Sequence, residues 1–280
     1  MSVDLFSPVN YGFPNLSAEE YFSFPALNSS SLKLGDSSPY HIDCAVRGLK
    51  ELDENGDPID EEKKHFLIGG AYHTLIFEPE LFESRYIVFN RSKMPQPDKD
   101  FRTKENKEWK KAIEKEAEQS GKKLIDSKDY YLLKRMRDGL LKRTSVRNII
   151  ECPGKHEQTM IWKHPEFGIN CKGRIDKLLP NAIIDIKTAQ KCSKKEFSHA
   201  WSGYKYDFQA AFYHEGYKTL TGKDLRIVYV LQEKTYPYYA KDYPIDPARL
   251  EKAKTEYYPY IEEYISYLNG TYDDTTSEVF

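Results

Sequence analysis

The stretch from Gly173 to Lys187, GRIDKLLPNAIIDIK, constrains the fold more tightly than any other part of the chain. β-rich runs (Arg174-Ile175 before, Ala182-Ile183-Ile184 and Ile186 after) flank a Leu-Pro-Asn turn, the pattern of a hairpin. Asp176 then lies near the end of the first strand and Asp185 on the second, nine residues further on. Side chains alternate across a strand, so Asp185 and Lys187 leave one face while Ile184 and Ile186 point the other way, into a core. Buried strands rarely carry an Asp and a Lys on one face unless the two pair or bind something. Two readings fit: a divalent-metal site with an ammonium beside it, or an exposed hairpin whose surface ion pairs contribute little.

The metal reading has a definite chemical meaning. Hydrolysing a phosphodiester needs a nucleophilic water and a place for developing negative charge. Mg²⁺ held by one or two carboxylates keeps positions open for water and a phosphate oxygen, and lowers the pKa of its bound water. A lysine beside it can orient that water or neutralise charge.

Two further segments bear on the choice. In and just before GGAYHTLIFEPELF, Phe66, Gly70, His73 and Phe77 fall at helical spacing that ends before Pro79. The Gly69-Gly70 pair costs helix stability, which makes sense if a backbone or ligand comes close. Taken alone, His73 fits a hydrogen-bonded core residue as readily as a ligand. In YDFQAAFYHEGY, Gln209 and Tyr213 stand four apart, hence on one helix face, though such a stripe also serves core packing.

In the order His, G-R-x-D, D-x-K, Q-x-x-x-Y, these segments resemble the PD-(D/E)XK nuclease superfamily. The resemblance is to its RecB-like branch, and most of all to the RecE (exonuclease VIII) type of phage recombination exonuclease. It is carried by AYHTLIFEPELFESRYIV, CKGRIDKL, DIKTA and YDFQAAFY, and by the opening SAEEYFSFPALNSSSLKLGDSSPYH. It spans the chain from about Ser17 to beyond Tyr217, and no core position departs from the pattern. The resemblance implies a restriction-endonuclease-like α/β core, with a central mixed β-sheet flanked by helices. It implies His73 and Asp176 as metal ligands, Asp185 as bridging carboxylate and the Ile186 carbonyl as a further ligand. Lys187 would contact the attacking water, with Gln209 and Tyr213 lining the site. Glu157 resembles an acidic position some members use near a second metal; an exposed strand residue is the alternative. Mg²⁺, with Mn²⁺ able to substitute, is the implied cofactor. Double-stranded DNA ends are the implied substrate, digested 5′ to 3′ without ATP to leave 3′ single strands for an annealing recombinase. A homo-oligomeric ring around DNA is the implied assembly.

Charge is informative once divided. The whole chain carries −2, yet Arg102 to Arg147 holds fifteen Lys/Arg against eight Asp/Glu. Two helical patterns lie there, KENKEWKKAIEKEAEQSGKK and LLKRMRDGLLKRTSVRN. Lys134, Arg135, Arg137, Lys142 and Arg143 of the second could wall a groove for a DNA backbone, with Arg174 beside the acidic pair; solvated helices with i,i+4 pairs are the alternative. Cys44, Cys152, Cys171 and Cys192 have no C-x-x-C spacing and none follows Tyr213, so neither an iron-sulfur cluster nor a zinc site is expected. No apolar run approaches membrane-spanning length and the first residues lack a signal-peptide layout, so a cytoplasmic location is expected.

The remaining organisation reads as one domain: residues 1–60 a helical segment packed on the core, 61–280 the nuclease domain. Ser29-Ser30-Ser31 starts a helix and ELDENGDPIDEE is a polar loop. HEQTMIW, INCKGRIDKL and AIIDIK read as three strands and LRIVYVLQE as another; helices are expected near Lys194 to Gly203 and from Asp246 to Leu268. No Walker A pattern is present. The function expected is therefore a Mg²⁺-dependent DNA exonuclease. The alternatives are a structure-specific or restriction-type endonuclease with the same chemistry, and a non-cleaving DNA-end-binding protein. An acidic cluster near phosphates weighs against the last, because it repels DNA unless a metal sits in it.

Overall fold

The β-rich runs between Lys155 and Pro244 assemble into a five-stranded mixed sheet in sequence order. Its strands are β3 (Lys155–Lys163), β4 (Asn170–Leu179), β5 (Ala182–Ala189), β6 (Arg226–Glu233) and β7 (Ala240–Pro244). β3, β4 and β5 run antiparallel in succession, β5 and β6 are parallel, and β7 returns antiparallel to β6. The computed structural model describes residues 4–49, 64–191, 201 and 203–273. The expected polar loop, the boundary at residue 60, Cys192 and all but Trp201 and Gly203 of the helix expected near Lys194 lie outside these.

Helices cover both faces, as expected. On one face lie α4 (Lys64–Phe77), α7 (Ser127–Leu141) and α8 (Thr144–Glu151), whose Tyr72, Leu75, Leu133, Leu140 and Val146 bury Ile184, Ile186, Val228 and Val230. On the other lie α2 (Ser29–Leu32), α3 (Pro39–Arg47), α9 (Tyr206–Thr221) and α10 (Pro247–Leu268), packed on Trp162, Cys171, Ile175, Ile183 and Tyr229. The tyrosine-rich last helix is core: Tyr257 and Tyr264 are fully buried, their hydroxyls donating to Glu215 and Asp43. Gly216 lets α9 close on the sheet, since a Cβ there would come within 2.7 Å of the Trp162 ring.

Asn28 caps α2 by accepting from the Ser30 and Ser31 N–H groups, and Pro39 opens α3. α1 (Ala18–Ser23), opened by a Ser17–Glu20 capping box, went unread in the sequence. So did α5 (Phe82–Arg85), β7 and the parallel pair β1 (Tyr86–Phe89) and β2 (Lys123–Asp126), which flank α6 (Lys104–Ser120). The second basic pattern, read as one helix, is two. Arg143 is extended (ψ 110°) between α7 and α8, and the turn carries Val146 and Ile150 into the same cluster as Leu140. Among the described residues no helix is long and apolar enough to cross a membrane.

Candidate active site

The site forms where the sheet forks. β3 and β4 stay paired from Lys155↔Leu178 to Lys163↔Asn170, but β4 and β5 pair only from Leu179↔Ala182 to Lys177↔Ile184. Beyond that point β5 stays with β6, and Asp176 and Asp185 stand at the parting. A buried backbone N–H needs a partner, and that of Ile186 finds the Asp176 carboxylate, donating to Oδ2 at 2.8 Å. A strand residue's N–H and C=O leave by one edge, so the Ile186 carbonyl faces the β4 side too.

Glu157 makes the fork tighter. It faces Asp176 across β3 and β4, between His156↔Lys177 and Gln158↔Ile175, with φ +48°. That conformation is uncommon for a residue with a Cβ and costs ~1–3 kcal/mol. Here the facing strand changes sides. Ile175 packs in the α9-side cluster, whereas two residues on the Lys177 ammonium reaches the Ile150 carbonyl on the opposite side. Glu157 Oε2 accepts from Arg174 Nε at 2.7 Å, and Oε1 lies 3.4 Å from His73 Nδ1. His73 comes from α4, anchored by buried Ala71, Tyr72, Leu75 and Ile76; the ring of Phe77 stacks on His156. Its Nδ1 is 3.7 Å from Asp176 Oδ1. Ligand atoms of His73, Glu157 and Asp176 lie within 4.8 Å of one another, a donor set that suits a divalent cation. Among the described residues, a Cβ added at Gly70 would come within 3.3 Å of the Tyr86 hydroxyl, while one added at Gly69 would meet nothing within 4 Å.

A second group closes beside the first. Asp185 is 2% exposed; its Oδ1 meets Lys187 Nζ at 2.6 Å and its Oδ2 accepts from Gln209 Nε2 at 2.6 Å. Lys187 Nζ also donates to Gln209 Oε1 at 2.8 Å, so the three side chains lock one another. One turn along α9, the Tyr213 hydroxyl accepts from the Arg174 N–H at 3.4 Å. Gly173 admits the Tyr213 ring, which a Cβ would approach to 2.9 Å.

Electrostatics couple the two groups. Burial, then the Asp185 carboxylate, push the Asp176 carboxyl up to about 7. Burial opposes charge on His73, but Asp176 and Glu157 outweigh it and raise the imidazole to about 9. An acid raised in the folded state is stabilising while protonated, and that contribution is lost as pH climbs from its unfolded value through about 7. Without divalent cations, Asp176→Asn should therefore gain stability relative to wild type between pH 5 and 8, read as the difference in Tm. A constant or opposite difference would contradict the assignment.

The basic residues in and just after α7 have these neighbours. Arg135 and Arg143 lie over the rings of Tyr238 and Tyr239, and Lys134 over Tyr130. Arg137 lies in α7 and Lys142 follows its last turn. Among the described residues, none of the five hydrogen-bonds or ion-pairs with the His73–Asp176 group. Arg174 does, through Glu157. Sequence reasoning missed the half-buried Lys33 and the ring of Tyr206, which the ammonium groups of both Lys33 and Lys187 approach. The alternation in Tyr204-Lys205-Tyr206 was the available signal.

Comparison with known proteins agrees with this architecture. A family profile described as "PDDEXK-like domain of unknown function (DUF3799)" matches residues 29–279. The crystal structure of a protein from Eubacterium rectale, named a "putative exonuclease", superposes with a TM-score of 0.61 at 16% identity, covering 95% of each chain. At that identity the likeness is one of fold. An alkaline exonuclease from Laribacter hongkongensis matches 69% of this chain and 95% of its own at 16% identity; its TM-score is only 0.27. No curated protein matches the chain.

Proposed function

The chain belongs to the PDDEXK-like family (DUF3799), and from that premise we propose that it is a metal-dependent deoxyribonuclease centred on the forked sheet. The observation that carries this reading is the pairing of two groups at one fork. His73, Glu157 and Asp176 converge within 4.8 Å, and Lys187 is held beside them by Asp185 and Gln209. His73, Glu157, Asp176, Asp185 and the Ile186 carbonyl would hold Mg²⁺ or Mn²⁺, since hard oxygen donors favour such cations. When bound, the cation supplies a water of lowered pKa and a Lewis acid for a phosphoryl oxygen.

The chain's own groups do the rest. Lys187 Nζ donates to Gln209 Oε1 and is ion-paired with Asp185 Oδ1, which would hold the ammonium in place for the incoming water or phosphate. Gln209 fixes both partners, so the ammonium needs no reorganisation as charge develops at phosphorus. The water gives up a proton as its oxygen adds to phosphorus, one ester P–O bond breaks, and the leaving oxygen takes up a proton in turn, so that the products are an alcohol and a phosphomonoester. Arg174, ion-paired with Glu157, keeps a cation at the rim for the strand's phosphates.

The finer reading is an exonuclease acting at double-stranded DNA ends, 5′ to 3′ and without ATP, that leaves 3′ strands for an annealing recombinase and works as a ring. Its support is the ordered motif set from His73 to Tyr213 and the exonuclease name borne by the Eubacterium rectale protein. The test offers linear and covalently closed circular duplexes to the full chain in Mg²⁺ without ATP. Loss of the linear form alone is expected. Cutting of the circle would instead assign an endonuclease.

A further inference from the structure

Beside Lys187 lies a group of residues that the hydrolytic chemistry does not use. Tyr206 opens α9 with its ring centre 5.2 Å from Lys187 Nζ and 5.7 Å from Lys33 Nζ. Its backbone is fixed, the carbonyl accepting from the Tyr229 hydroxyl at 2.6 Å. Tyr204 stacks on it, ring centres 5.5 Å apart and planes 21° from parallel, and remains 63% exposed.

The chain is bent to achieve this. Lys205, between the two tyrosines, has φ +47°, a conformation a residue with a Cβ rarely adopts. It is held there by an ion pair to Asp36 at 2.5 Å and by the rings of Phe208 and Tyr260, each 4.9 Å from its ammonium. Backbone held this way beside a reactive site points to function. Lys33 is also unusual: it is half-buried, and among the described residues no carboxylate lies within ion-pair distance of it. An unpaired, partly desolvated cation favours an anion. Burial, and then Lys187, lower its pKa to about 8, so it is still charged at neutral pH.

We infer that Tyr204 is a stacking platform for an unpaired nucleobase of the strand held in the site, with Lys33 taking a phosphate of the same nucleotide segment. The inference rests on the nuclease reading for the identity of the strand. An exposed ring stacked on a half-buried one is restrained, and every base has a face to offer it, so the platform grips single-stranded DNA without reading its sequence. Lys205 and Asp36 are positioning residues, setting the angle of the Tyr204 ring.

The test is binding, measured by anisotropy with the full chain in Ca²⁺, of a dye-labelled oligothymidylate and of the same backbone without bases. Wild type should prefer the base-bearing strand about tenfold. Tyr204→Ala should lose that preference and Tyr204→Phe keep it. Lys33→Ala should weaken both ligands alike and reduce the slope of log affinity against log salt by about 0.7. Equal affinity of wild type for the two ligands, no binding of either, or an undiminished preference in Tyr204→Ala would overturn the inference. The readout needs no cleavage. A base preference lost in Tyr204→Ala in a protein that cuts nothing would sustain the platform and defeat the nuclease reading. Cleavage without the preference would do the reverse.

Discussion

Lys187→Ala is expected to cut DNA at least ~100- to 1,000-fold more slowly than wild type, the scale on which losing one preorganised donor is felt. It should also unfold more easily. Asp185 is 2% exposed and, among the described residues, Lys187 is the one ammonium within ion-pair distance of it, so removing that ammonium leaves the buried carboxylate with the neutral Gln209 amide as its side-chain donor. Breaking a buried pair in this way costs ~3–5 kcal/mol. The two effects separate experimentally. Single-turnover cleavage reads the first and denaturant unfolding the second. Divalent cation should restore much of the lost stability, because it returns positive charge to the fork, yet restore little of the rate. Cleavage within about fivefold of wild type would remove Lys187 from the chemistry.

The second large effect is expected at Lys172, which touches no reacting group. Its ammonium is buried under α1, donating to the carbonyls of Tyr21 at 2.8 Å, Phe22 at 3.2 Å and Phe24 at 2.6 Å, with the Tyr21 ring 4.9 Å away. These carbonyls close the helix and tie it to β4 at the edge of the site, where the Arg174 guanidinium lies 5.8 Å from the same ring. Each buried acceptor left unsatisfied costs ~1–3 kcal/mol. Lys172→Ala should therefore destabilise by about 3 kcal/mol, with the first loss of protection at residues 18–24 in hydrogen exchange. Lys172→Met keeps the apolar stem and should lose nearly as much; a methionine that behaves like wild type would assign the effect to packing instead.

What was legible in the sequence follows from how local each signal is. The hairpin from Gly173 to Lys187 announces itself because alternation and a turn lie within one short stretch, and Ile184 and Ile186 do enter the cluster under α4 and α7. The spacing of Gln209 and Tyr213 puts them on one face of α9, and the structure brings both against the β4–β5 fork. The second basic helix misled because charge periodicity runs through Lys142 and Arg143 unbroken, while the break is set by packing of Val146 and Ile150. Lys33 and Lys172 were illegible for a different reason. Their partners are 173 and 151 residues away, at Tyr206 and Tyr21, and nothing near either lysine marks it as buried. The left-handed Glu157 could not be seen at all, since it accompanies the change of side in the facing strand β4, far away in sequence, and nothing in its own neighbours marks it.

The most direct measurement is hydrolysis of an end-labelled linear duplex by the full chain in Mg²⁺ and in Mn²⁺, with Asp176→Asn beside wild type. Cleavage by wild type that EDTA stops, and that Asp176→Asn loses while staying folded, is the expected result. Cleavage undiminished by EDTA or by Asp176→Asn, or a folded wild type that leaves the duplex intact in both metals, would contradict a catalytic centre at the fork.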